Sequence, residues 1–356
     1  MGLSLGTGRA DAALQAQEGG ISGPAKRWRT LLLRPELTAI VGTIAVFIFF
    51  AVTAGSDGFL TSGGTINYLQ VSAEIGIIAV PVTLLLIAGE FDLSVGSVVG
   101  TSAMLMAYLI IDKRWPLALA FPIGLIFGAA VGCANGFLTV RTRIPSFLVT
   151  LATSYILAGA GIALSNSIVG TTQIYGLSEA LKGDPLLRAF TGTLLGLPVE
   201  IWWWFGITLV GTYVLVFTPF GNWVYACGGN RESARNTGVP VRRVKVVLFT
   251  WTAMASCIVG LLSSFTTDGA DVTNGADKMF QAPVAAVIGG ALLTGGYGSV
   301  IGTAFGALLF GMVSQGFFYT SIDGNWFEAF LGGMMLIAIF VNDHVRRLSL
   351  RQRRPT

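Results

Sequence analysis

The chain has 356 residues, 53% of them hydrophobic and only 11% charged, with a formal net charge of +4 and a mean hydropathy of +0.72. A soluble domain carries about 25% charged residues, so this chain cannot cover a water-facing surface and reads as an integral membrane protein. Its basic residues lie beside apolar runs, where they report membrane orientation and not an affinity for nucleic acid.

Residues 1–36 form a polar leader ending in Lys26, Arg27, Arg29 and Arg34. It lacks an apolar core followed by a small-residue cleavage site, so a cytoplasmic, irregular leader is expected and not a cleaved signal peptide. A helix that crosses the hydrocarbon needs roughly 20 apolar residues. Ten candidate spans follow, over 37–52, 75–88, 93–111, 116–140, 146–164, 201–217, 244–265, 282–293, 300–316 and 327–341. They predict an all-α, polytopic transmembrane bundle of about ten helices over 37–341, with a cytoplasmic loop at 218–245 and a basic cytoplasmic tail at 342–356. The eighth candidate is too short to span alone. With the N-terminus inside and ten crossings, seventeen basic residues fall inside and five outside. The positive-inside rule favours that orientation.

The longest outside segment, 166–200, mixes apolar and polar residues and is expected to fold on the membrane surface. "GSVVGT" from Gly96 and "GSVIGT" from Gly298 echo each other, as two similar small-residue helix starts. Cys133, Cys227 and Cys257 fall in or beside apolar stretches, as buried inert thiols do.

Few residues offer catalytic chemistry. The only histidine is His344, in the tail, so no histidine triad or metal cluster forms within a span. No lysine follows a glycine, and a phosphate-cradling loop needs Gly-Lys-Ser/Thr. The chain therefore carries no cofactor of its own by that route, and any ATP that powers it is bound by a partner.

"AGEFDLSVGS" sets Glu90 and Asp92 between two closely spaced spans. An ionised group at membrane depth faces a cavity or a partner, which makes Glu90, Asp92 and Ser94 candidates for a translocation pathway. Alternatively, Asp92 or Ser94 caps the third span. The eighth segment is broken at Gly289, Gly290, Gly295 and Gly296. Such glycines either line a transport pathway or let helices cross closely. Ahead of it, Asp268, Asp271 and Asp277 form an acidic outer loop, either simply solvated or a docking patch for an external protein.

Residues 228–245, "GGNRESARNTGVPVRRVK", interrupt the apolar sequence with five basic residues. Asn230 can cap a short helix with Glu232 in its first turn, and Gly238 and Pro240 end it. Ala234 gives that helix a small face suited to lying close to another surface. Arg242, Arg243 and Lys245 anchor the next span among the headgroups.

The spacing Glu232-Ser233-Ala234-x-x-x-Gly238 resembles the "EAA-x-x-x-G" loop of bacterial ABC importer permeases. "GNWVYACGGNRESARNTGVPVRRVKVV", "GEFDLSVGSVVG" and "GGYGSVIGTAFGALLFGMVSQGF" are similar, in order, to three motifs of the ribose/xylose/autoinducer permease family. The resemblance covers about 37–341 and implies the type II importer fold, with two permease copies, identical or related, and two ATPase subunits. A periplasmic or lipid-anchored solute-binding protein would deliver a monosaccharide or small polyol. Glu232, Ala234 and Gly238 then carry over as ATPase-coupling residues; Asn230, Arg231 and Arg235 join them as the cap and the charges of the same helix. Glu90-Phe91 and "MFQAPVAA" from Met279 depart from the family's pattern and leave ribose itself unassigned. A proton-coupled secondary transporter using Glu90 is the alternative.

Overall fold

The computed structural model describes residues 35–320, 323–324 and 326–352, with side chains placed for 36–320, 323–324 and 326–341. The predicted leader thus lies almost wholly outside the described residues, as do the last four residues of the tail.

Thirteen α-helices are present among the described residues. They are α1 (Pro35–Thr53), α2 (Ser62–Ile87), α3 (Val95–Ile111), α4 (Leu117–Thr142), α5 (Ser146–Ile168), α6 (Leu177–Ala180), α7 (Val199–Phe217), α8 (Pro219–Gly229), α9 (Arg231–Asn236), α10 (Val241–Thr266), α11 (Lys278–Ile288), α12 (Val300–Phe318) and α13 (Trp326–Gln352). Each of the ten predicted spans corresponds to one of these helices; α6, α8 and α9 are the short extras. Seven helices are long and apolar enough to cross a membrane, and α3, α11 and the apolar part of α13 are shorter. At 1.5 Å per residue, 11-residue α11 reaches only about half the hydrocarbon thickness. A non-helical stretch, 289–299, follows it before α12. The protein is an all-α membrane helix bundle.

Two groups of helices repeat one contact pattern. α10 packs on α3 and α4, which also touch α5; α2 packs on α11 and α12, which also touch α13. Each group is led in sequence by one helix (α2 before α3–α5, α10 before α11–α13), yet that leading helix is embedded in the other group. The exchange locks the halves together and encloses α2 most deeply of all. Glycines at four-residue spacing let α4 approach. A Cβ at Gly128, Gly132 or Gly136 would strike α10, the small-residue contact that packs helices where apolar burial gains little. α3 and α12, which carry the echoed hexapeptides, occupy different places in the repeated pattern, so the echo marks similar helix starts.

Residues 166–200 carry short strands and turns that pack on the bundle. β1 (Gln173–Tyr175) pairs antiparallel with β4 (Gly269–Asp271), and β2 (Thr193–Leu194) with β3 (Leu197–Pro198). Ile174, Leu177, Leu181 and Phe190 anchor this cap in the main apolar cluster. Phe190 stacks on Trp203 at 5.5 Å.

One expectation needs correction. Cys227 and Cys257 are buried, but Cys133 is exposed, because an apolar run looks the same in sequence whether it faces protein or lipid. α13 runs on into the basic tail as far as Gln352 without a break.

Candidate functional site

The polar insert folds as an elbow of two helices. Thr218 accepts from the Gly221 N–H to start α8. Asn230 accepts from the Ser233 N–H at 2.9 Å to start α9, with Glu232 in the first turn. The end of α9 is a Schellman turn: the N–H of Val239 donates to the Ala234 carbonyl and that of Gly238 to the Arg235 carbonyl. Gly238 sits at φ 86°, a conformation open to glycine and costly for other residues.

Arg231, Glu232, Ser233, Arg235 and Asn236 are all exposed, and only Ala234 is buried. Ala234 packs with Val224, Cys227, Val241 and Val244 of α8 and α10. The surface that the small face lies against is the protein's own bundle. The methyl group anchors α9 to its own bundle, and the charged side is what a partner would meet.

Directly behind this elbow, three segments singled out in the sequence converge. Gly89 follows α2, Gly228 and Gly229 end α8, and Gly295 and Gly296 lie before α12. A Cβ on Gly295 would come within 2.9 Å of the Gly89 Cα and 3.1 Å of the Gly228 Cα, and one on Gly296 within 3.0 Å of the Gly229 Cα. The Gly296 N–H donates to the Ile87 carbonyl at 2.8 Å, and the Tyr225 hydroxyl donates to the Gly298 carbonyl at 2.9 Å. Beside this junction Lys245, at the start of α10, forms an ion pair with Glu90. Their side chains are only 4% and 9% exposed. Breaking a buried pair by removing one partner costs about 3–5 kcal/mol, so the pair ties α10 firmly to the turn after α2. Glu90 is thus half of an ion pair and does not face an open path alone.

Asp92 is fully buried. It accepts from the N–H and hydroxyl of Ser94 at 2.8 and 2.6 Å and from the Thr252 hydroxyl at 3.0 Å. Asn135 donates to the Ser94 hydroxyl at 2.9 Å. Ser146 and Thr150 receive the N–H groups of Phe91 and Leu93. The network joins the turn before α3 to α4, α5 and α10. Ser94 stands at the N-cap position of α3, yet its side chain caps no amide. The capping expectation therefore gives way to a buried turn held by side chains from other helices. Gly289 and Gly290 are buried at the end of α11. A Cβ on Gly289 would overlap Thr303 of α12, which is the geometry of a close helix crossing.

The acidic trio lies at the opposite end of the bundle. Asp268 accepts from the Ser178 N–H at 2.8 Å, and that bond holds its carboxyl below the ordinary value. Partial burial pushes Asp271 up, but donors from Thr273 and Gln173 outweigh it, leaving the carboxyl below its usual value. Asp277 is exposed one residue before α11. Asp268 and Asp271 thus hold the β1–β4 cap together.

Near the same end is a cluster that sequence reasoning missed. Lys278 of α11 pairs with Glu74 of α2 at 2.8 Å, and buried Glu200 of α7 accepts from Thr266 at 2.6 Å and Gln70 at 3.3 Å. The second and sixth candidate spans began at residues 75 and 201, each one residue past an acid. Extending each span by one turn would have put both carboxylates inside the bundle.

Comparisons with known proteins identify the family. Residues 64–339 match the family described as branched-chain amino acid transport system / permease component. The ribose import permease protein RbsC of Haemophilus influenzae is 29% identical over 303 residues, covering 85% of this chain and 92% of the relative. The inner membrane ABC transporter permease protein YjfF of Escherichia coli K12 is 32% identical over 309 residues, 84% and 89% of the two chains. The xylose transport system permease protein XylH of Escherichia coli K12 is 27% identical over 365 residues, 87% and 92%. No solved structure matches. Across a match that takes in α2 through most of α13, with the elbow and the glycine junction inside it, this chain belongs to that family of ABC transport permeases.

Proposed function

We propose that the chain is the membrane permease of an ABC importer for a monosaccharide or similar small polyol, and that α9 is the element through which a cytoplasmic ATPase moves it. The observation that carries this reading is the elbow. α9 presents four charged or amide side chains outward, is fixed to the bundle by Ala234, and sits on the glycine junction where the ends of α2, α8 and the turn before α12 touch. A push on α9 would reach α10 through Lys245 and Glu90, and α12 through Gly296 and Tyr225. Asn230 and Gly238 hold the helix ends, and Arg231, Glu232 and Arg235 make the contacts.

The sugar class rests on the ribose and xylose permeases among the relatives, whose printed names carry those substrates. A solute-binding protein would dock at the opposite end, where Asp268, Asp271 and Asp277 lie, and a second permease copy would complete the pathway. This orientation places both termini in the cytoplasm, in line with the distribution of basic residues. The pairing of Glu90 with Lys245 weighs against the proton-coupled alternative, since the carboxylate is already committed to a cation inside the bundle.

Uptake of labelled monosaccharides and polyols by cells expressing the complete system tests the reading. Gly238→Pro and Glu232→Arg are expected to reduce uptake at least tenfold at unchanged membrane levels, by breaking the Schellman turn and inverting a contact charge. Undiminished uptake in both variants would remove α9 from the mechanism.

A further inference from the structure

A groove of about 360 Å³ opens between the end of α4 and the start of α10, lined by Phe137, Val140, Arg141, Arg242, Arg243, Val246 and Val247. We propose that it binds an anionic phospholipid, with the phosphate held by Arg141, Arg242 and Arg243 and the upper acyl chain lying on Phe137, Val246 and Val247.

Three independent features point to this ligand. First, no ion pair among the described residues engages any of the three guanidinium groups, and all three residues are exposed. Arginine forks match phosphate geometry better than any other side chain. Second, α10 opens on Pro240, whose side chain caps no amide, and the Val241 N–H donates to the Val239 carbonyl. Arg242 and Arg243 add positive charge at the end of a helix that already carries a partial positive charge. An anion at that point relieves the repulsion. Third, the groove continues as apolar surface: Phe137 is 60% exposed and Val247 49%. Free inorganic phosphate has no use for such a floor, whereas a phospholipid matches both the basic rim and the apolar wall. Basic pockets between helix ends are a recurring site for anionic headgroups.

The site borders the elbow, since Arg242 and Arg243 also line the neighbouring hollow formed with Arg235 and Val239. A lipid bound there would brace the root of α10 beside the Glu90–Lys245 pair.

Native mass spectrometry of the delipidated full-length permease, offered equal phosphatidylglycerol and phosphatidylcholine, tests the proposal. One basic residue near an anionic surface is worth a factor of roughly five. The wild type is expected to retain phosphatidylglycerol over phosphatidylcholine by roughly tenfold or more. Arg243→Gln should lower that preference roughly fivefold, and R141Q/R242Q/R243Q should abolish it. Val247→Trp keeps every charge, and with it the basis for membrane orientation, but fills the apolar wall, so it should weaken retention of the lipid. Equal retention of the two lipids by the wild type would overturn the proposal, as would an undiminished preference in the arginine variants. Displacement of phosphatidylglycerol by millimolar inorganic phosphate, with Val247→Trp binding as the wild type does, would assign the groove to a free anion instead.

Discussion

The two ends of the bundle differ in what surrounds their glycines. At the α9 end backbones touch at Gly89, Gly228, Gly295 and Gly296, three of which also have positive φ, and a Cβ on Gly228 would overlap the Ile87 carbonyl. At the other end, Gly170, Gly176, Gly183, Gly192 and Gly196 have positive φ yet nothing within 4 Å of the place a Cβ would occupy. The outer glycines shape a loop-rich cap, whereas the inner four admit close contact between backbones. Charge is placed differently too: Glu90–Lys245 is buried at a joint between helices, while exposed Asp268 and half-buried Asp271 hold the β1–β4 cap. The comparison teaches that the end facing the proposed ATPase is built as a close-packed joint, whereas the outer end carries a loop-rich cap.

The largest expected effect comes from breaking the joint's ion pair. Lys245→Met leaves Glu90 buried without its partner and should cost about 3–5 kcal/mol, read as a lower melting temperature in detergent. Replacing both partners, as in Glu90→Leu with Lys245→Met, should restore most of that stability while impairing transport. If the double variant is no more stable than Lys245→Met alone, the pair is not the source of the loss.

Next is Gly228→Ala, whose methyl group must push the Ile87 carbonyl or the turn at Gly296 aside, at about 3 kcal/mol. The matching outer substitution, Gly183→Ala, meets no atoms and pays only for its left-handed backbone at φ 89°, about 1 kcal/mol. Equal losses in the two variants would erase the distinction between contact and conformation.

The smallest effect is acid sensitivity of the outer cap. The carboxyls of Asp268 and Asp271 are held below their ordinary values, so they bind fewer protons folded than unfolded. Their contribution is fully present above the unfolded value and is lost as pH falls through the lowered folded values, below about pH 4. Hydrogen exchange at the Ser178 amide should therefore stay protected at pH 5 and lose protection, relative to Asp268→Ala, at pH 3. A protection difference that does not change with pH would exclude the carboxylate.

Much of this was legible in the sequence, and the exceptions have physical reasons. Hydropathy and the length rule found a helix at each of the ten candidate positions, seven of them long and apolar enough to cross a membrane, and cap chemistry located α9 with Asn230 and Gly238 at its ends, because these signals are local. The meeting of Gly89, Gly228 and Gly295 was not legible, since a glycine does not state which distant backbone it must admit. The inward turn of Ala234 was equally hidden, because six residues are too few for a periodic apolar face. Glu74 and Glu200 were lost at span edges, where a single acid lies within the error of a hydropathy boundary.

The central claim is that α9 is the contact through which an ATPase drives this permease. The most direct measurement is co-purification from detergent-solubilised membranes of the native host, comparing wild type with Glu232→Arg and assaying the bound fraction for ATP hydrolysis. An ATPase retained by the wild type and lost from the variant is the expected result. Equal recovery of the ATPase with both chains, or none with either from membranes that still take up solute, would contradict it.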